Sequence, residues 1–113
     1  MNPEIIVQKQ VEAYNSRNLS AFLECHHPEV ELFTFSEKIP FAVGLPAVRK
    51  IYKTVFDSSP NLKTEIIHRI CINDKVIDHE MVYGRAGADQ IEFIAIYEIK
   101  DNLIHKAHFI RKD

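Results

Sequence analysis

The sequence predicts an α+β domain: three N-terminal helices followed by a strongly curved antiparallel sheet that wraps them and encloses a core. Three observations lead there. Apolar residues recur at helical spacing in the first half of the chain and at alternate positions in the second. Two dipeptides suited to positive φ, Asn73-Asp74 and Asp101-Asn102, divide the second half into paired strands. Only three glycines and five prolines interrupt 113 residues, which requires long elements and short loops.

Each element has a local reason. Asn2 caps a first helix with Pro3 in its first turn, and Ile6, Val7, Val11 and Tyr14 form its apolar stripe. Asn15-Ser16-Arg17-Asn18 breaks that helix, and Asn18 caps a short second one carrying Leu19, Phe22 and Leu23, which Pro28 stops. Val30–Phe35 is a strand, with Val30, Leu32 and Thr34 on one side and Phe33 and Phe35 on the other. A third helix opens at Pro46, buries Val48, Ile51, Tyr52, Val55 and Phe56, and ends at Ser58-Ser59-Pro60. The strands then run Leu62–Ile72, Lys75–Gly84, Gln90–Lys100 and Leu103–Ile110.

Composition bounds the rest. At 113 residues, with 46% hydrophobic and 27% charged residues, the chain is one domain, 1–113, able to fold without metal or disulfides. The formal charge of −2 and the lack of a basic cluster argue against a nucleic-acid partner. No apolar run is long enough to span a membrane, and Met1-Asn2-Pro3-Glu4 lacks signal-peptide character. Cys25 and Cys71 are read as free thiols, which implies a cytoplasmic protein. No phosphate-binding or dinucleotide fingerprint occurs, so no cofactor is expected.

A two-residue turn sets the register of the strands it joins. Around Asn73-Asp74 it opposes Arg69 to Asp78, His68 to His79, Ile67 to Glu80 and Ile66 to Met81. The face with Ile66, Ile70, Ile77, Met81, Tyr83 and both histidines is expected to be buried. Asp78 and Glu80 then point outward, leaving no buried carboxylate base. The histidine pair is read as hydrogen-bonded core residues, as imidazoles contacting a ligand, or as part of a metal site. Zinc would need a third ligand, and no tight spacing supplies one. Around Asp101-Asn102 the rule opposes Ala95 to His108 and Phe93 to Ile110, an assignment that a bulge in the last strand would change. His26-His27 is read as capping the carbonyls at the end of the short helix.

The segments Val11–Leu23, Pro28–Leu32, Gly44–Tyr52 and Ala95–Ile104 together resemble the nuclear-transport-factor-2-like superfamily over nearly the whole chain. The nearest groups are the SnoaL-like proteins and the ketosteroid isomerases. The resemblance implies a cone-like open barrel of cystatin-like fold, a scaffold that hosts isomerases, cyclases and non-catalytic proteins alike. It places the isomerases' oxyanion tyrosine at Gln10, their base near Thr34 or Phe35 and their acid near Ala95, so that catalytic set is absent. The SnoaL-like acid falls at Lys112, beside Asp113. The resemblance also turns Ala95 into the cavity, and with it His108. His68, His79 and His108 are therefore the expected catalytic groups, with His68 orienting His79. Tyr14, Phe33, Phe35, Tyr52, Phe56, Met81, Tyr83, Phe93 and Tyr97 are the expected ligand-binding residues around them. The expected ligand is a hydrophobic small molecule, bound or turned over by cofactor-free proton transfer. The alternative is a non-catalytic binding or dimerisation module. Superfamily members commonly dimerise through the outer sheet face, read here as Ile67, Cys71, Val82, Ile94, Ile96 and Phe109, so a homodimer is expected.

Overall fold

The structure, a computed structural model, describes residues 2–112; Met1 and the acidic candidate Asp113 lie outside the described residues. The expected helices are present. In α1 (Pro3–Asn15) the Asn2 side chain accepts the Glu4 N–H at 3.1 Å, and in α2 (Leu19–Glu24) Asn18 accepts the Ala21 N–H at 3.0 Å. β1 (His26–Thr34) begins before Pro28, directly after α2, and is followed by the two-residue β2 (Ala42–Val43), which has no signature in the sequence. α3 (Leu45–Ser58), β3 (Lys63–Ile72), β4 (Lys75–Tyr83), β5 (Gln90–Lys100) and β6 (Leu103–Arg111) follow close to their expected bounds. The turn residues Asn73, Asp101 and Asn102 all take positive φ.

The six strands form one sheet in the order β2-β1-β6-β5-β4-β3. Two features correct the expectation of a strongly curved, all-antiparallel cone. β1 runs parallel to β6, so the sheet is mixed, and it stays open with β2 and β3 as edges and without strong curl. Parallel pairing joins segments far apart in the chain and leaves no turn for the sequence to reveal.

Two bulges decide what the sheet presents to the helices. Next to the Asn73-Asp74 turn the pairs are as expected, including Arg69 with Asp78 and His68 with His79. An irregularity at Ile67 then pairs Ile66 with Glu80, Glu65 with Met81 and Thr64 with Val82. In β6, Ile99 pairs with Ile104 but Glu98 pairs with Lys106, so His105 is the extra residue. Past it, Ala95 faces Phe109 and Phe93 faces Arg111, while His108 moves beside Ile96. A one-residue shift exchanges the faces of every later side chain.

The helix-facing side of the sheet thus carries cross-strand rows. One is Ile66–Glu80–Phe93–Arg111, and the next is Arg69–Asp78–Ala95–Phe109–Thr34. Val76, Tyr97, Ala107 and Leu32 form a third row that is fully in the core with Val7, Phe22, Val48 and Phe56. The side expected to be buried is the outer one: Ile70 is 60% exposed and Ile72 59%, whereas Asp78 is completely buried. Among the described residues no helix is long and apolar enough to cross a membrane.

Candidate functional site

A cavity of about 280 Å³ lies between the helices and the inner sheet face. Its floor is built from the cross-strand rows: Glu80 and Val82 of β4, Phe93 and Tyr97 of β5, Phe109 and Arg111 of β6, with Thr34 and Thr64 at the sides. α1 contributes Gln10, Val11 and Tyr14, and α3 contributes Ile51, Tyr52 and Val55. These positions recur at helical spacing, so one stripe of each helix meets the sheet. Phe41 and Arg85 enter from loops. The Arg85 loop is tied down where buried Ser59 accepts the Ala86 N–H at 3.0 Å, at the end of α3.

Glu80 is the chemical centre of this cavity. It is 9% exposed, and no basic side chain among the described residues forms an ion pair with it. Its neighbour Asp78 takes the available cation: Arg69 Nε and Nη2 donate to the two Asp78 oxygens at 2.6 and 2.9 Å, a bidentate pair that raises the arginine's pKa. Burial, reinforced by the Asp78 charge and only partly offset by Arg69, pushes the Glu80 carboxyl up to about 8. Near pH 7 it therefore holds its proton most of the time, with about a tenth ionised.

The groups around Glu80 are phenols. Tyr14 and Tyr97 are driven well above the ordinary tyrosine range by burial, and Tyr52 to about 12, with the Glu80 charge adding to each. They remain neutral hydrogen-bond donors throughout the physiological range. Tyr14 and Tyr52 meet edge to face at 6.4 Å between ring centroids. Gln10 adds an amide whose buried Oε1 has no hydrogen-bond partner among the described residues. An acid of tuned pKa beside neutral donors in an apolar enclosure can exchange a proton with a bound molecule and stabilise charge developing on its oxygen.

Of the residues expected from the sequence, Tyr14, Tyr52, Phe93 and Tyr97 line the cavity. The three histidines do not, because the buried face is the one opposite to that expected and the β6 bulge turns His108 over. His68 is exposed and stacks on His79, whose Nε2 lies 2.8 Å from Glu92 Oε2 on the outer face. His108 lies 3.1 Å from Glu98 and stacks on Phe33 at 4.7 Å, also outside. Phe33 is thereby taken up on the outer face, and Phe35, Met81 and Tyr83 lie outside the cavity as well. Phe56 is in the core against Tyr14 and Phe22 rather than at the cavity wall. Among the described residues no three His, Cys, Asp or Glu side chains converge as a metal-binding group. His26 does bind a helix-end carbonyl: its Nδ1 lies 2.8 Å from the Phe22 oxygen.

Glu80, Gln10, Arg85 and Arg111 were not among the expected site residues. A signal for Glu80 was present. Val76, Asp78, Glu80 and Val82 alternate along β4, so the two valines place the carboxylates on their own buried face.

A family model described as a SnoaL-like domain matches residues 7–107. Among solved structures, an uncharacterised cystatin-fold protein from Novosphingobium aromaticivorans superposes with a TM-score of 0.89 at 15% identity, covering 98% of this chain and 99% of that one. A SnoaL-like protein of unknown function from Burkholderia thailandensis gives 0.80 at 18% identity, over 98% and 94% of the two chains. A candidate polyketide cyclase from Sinorhizobium meliloti gives 0.78 at 18% identity over 93% of each. At these identities the likeness establishes the fold and leaves the chemistry open. Among curated proteins no sequence matches significantly.

Proposed function

The chain belongs to the SnoaL-like domain family, and we propose that it binds a small, largely apolar carbonyl compound and moves a proton on it through Glu80, without a cofactor. The observation that carries this reading is a buried carboxyl group, without an ion-pair partner among the described residues, facing a cavity lined by neutral phenols. In its ionised form Glu80 takes a proton from carbon next to the ligand carbonyl. The electron pair moves onto the carbonyl oxygen, where Tyr14, Tyr52 or Tyr97 donates a hydrogen bond, and the Glu80 proton is then returned to another carbon. Isomerase, dehydratase and cyclase reactions share this first step. A carboxyl group that titrates near 8 supplies both the base and its conjugate acid close to neutral pH.

The test needs no knowledge of the natural substrate. Small cyclic ketones and enones are incubated with the protein in D2O, and deuterium entry beside the carbonyl is followed by NMR. Wild type should accelerate exchange above buffer, with a rate that rises through pH 8, and Glu80→Gln should lose about 100-fold or more. No acceleration for any ketone would reject proton transfer and leave a binding module.

The outer sheet face supports a second role, as a homodimer contact. Ile70, Ile72, Ile77, Ile94, Ile96 and Ile110 occupy it, interspersed with the His79–Glu92 and His108–Glu98 pairs. Cys71, Val82 and Phe109, expected there from the sequence, belong to the inner side instead, and Ile67 is the bulge. Light scattering at micromolar concentration should give twice 13.1 kDa, and Ile70→Glu should give a monomer; a monomeric wild type overturns the assignment.

A further inference from the structure

The charges around the cavity point to the kind of molecule it takes. Besides Glu80, the charged residues lining it are Arg85 and Arg111. Neither has a carboxylate within ion-pair distance among the described residues, in contrast to Arg69. Because burial keeps Glu80 mostly protonated near pH 7, the cavity is positively charged in a chain whose formal charge is −2. A cleft of one sign with low-dielectric walls concentrates ions of the other.

Cross-strand register sets the dimensions. Glu80, Phe93 and Arg111 stand side by side on consecutive strands, so Glu80 and Arg111 are two strand spacings apart, roughly 10 Å at the backbone. The Phe93 ring lies between them, with the Arg111 guanidinium carbon 6.0 Å from its centroid. A flat apolar body resting on Phe93 reaches from the arginine to the carboxyl group. Arg85 lines the cavity from the loop between β4 and β5, and its charge acts on the Tyr14 and Tyr52 phenols.

Gln10 is an independent sign of an absent partner. It is 8% exposed, lines the same cavity, and its buried Oε1 accepts no hydrogen bond from the described residues. A buried amide oxygen left without a donor is costly, so the site suits a ligand that brings an O–H or N–H.

We propose that the cavity selects a flat apolar carboxylate of one or two rings, its anionic group held by Arg111 and Arg85 and a hydrogen-bond donor on its body turned to Gln10. This rests on the reading of the cavity as a ligand site and adds the substrate class to it. Arginine suits a carboxylate because its planar fork matches the two oxygens. The volume of about 280 Å³ lies at the small end of ligand pockets and excludes large ring systems.

The test compares 6-hydroxy-2-naphthoate with 6-hydroxy-2-naphthamide, which share a ring hydroxyl as the donor for Gln10 and differ in charge, by calorimetric titration at pH 7. The carboxylate should bind wild type at least tenfold more tightly than the amide. Arg111→Gln and Arg85→Gln should each weaken the hydroxynaphthoate about tenfold and change the hydroxynaphthamide less than twofold, with far-UV circular dichroism confirming the fold. Should a variant not fold, the wild-type comparison decides alone. Equal affinities, arginine variants without effect, or no binding of either probe up to millimolar concentration would each overturn the proposal. The hydroxynaphthoate carries no exchangeable hydrogen beside its carboxylate, so its binding does not depend on proton transfer. Selective binding with no ketone exchange would reject the catalytic reading alone, and exchange without carboxylate preference would reject this one alone.

Discussion

Gln10 shows how one side chain can be a stability defect and a recognition element together. An amide withdrawn from water and lacking a donor at Oε1 lowers stability by about 1–3 kcal/mol relative to a satisfied one. Methionine has similar length and no oxygen to satisfy. Gln10→Met should therefore raise stability by about 1 kcal/mol, read as a higher urea midpoint with unchanged slope. A lower midpoint would mean that the amide is satisfied in solution and is not held open for a ligand. Asp78 follows the opposite logic. It is completely buried, yet both oxygens are bound by Arg69, so neighbouring carboxyl groups on one strand have separate roles: one is neutralised by a cation and the other by its proton.

At the scale of elements, what is local was legible in the sequence. The caps Asn2 and Asn18, the apolar stripe of α3 and the hairpin pairs from Ile72–Lys75 to His68–His79 follow from residues close together in the chain. The bulges at Ile67 and His105 do not, because they answer to how strands bend against helices that pack from elsewhere. Nor does the parallel β1–β6 pair, which joins residues more than seventy positions apart. The fold departs further from the sequence pattern in which face of the hairpin it buries. The side of the β3–β4 hairpin with Ile70, Ile77 and Met81 is the more apolar, yet α1 covers the side with Arg69, Asp78 and Glu80. Apolar content alone identifies a surface that is covered by something, and on the outer face a second subunit could serve as well as a helix. Four aromatic members of the candidate site, Tyr14, Tyr52, Phe93 and Tyr97, were nevertheless identified from the sequence. Their positions depend on helix stripes and on the alternation of β5. Those of the histidines depended on the choice of face and, for His108, on register across a bulge.

For the whole molecule, two buried titratable groups give stability opposite slopes in pH. Glu80 titrates near 4.5 when unfolded and about 8 when folded. Between those values the folded chain keeps a proton that the unfolded chain releases, so stability falls as pH rises, by about 1.4 kcal/mol per unit. His26, buried against Phe22, goes the other way, from 6.5 down to about 4 because burial disfavours its charged form. There the unfolded chain holds the extra proton, and stability falls as pH drops. The two slopes cancel between pH 4.5 and 6.5, which leaves a plateau. Of these two groups, His26 alone sets the slope below it and Glu80 alone above it, until about pH 8. Wild type should lose about 1 kcal/mol between pH 6.5 and 8, measured by urea unfolding, whereas Glu80→Gln should change by less than about 0.5 kcal/mol over that range and be the more stable protein at pH 8.5. A wild type whose stability does not change from pH 6.5 to 8.5 would mean that the Glu80 carboxyl reaches solvent, and the acid and base role assigned to it would fall as well. The alkaline loss and the proton transfer have one origin, a carboxyl group withdrawn from water at the floor of the cavity.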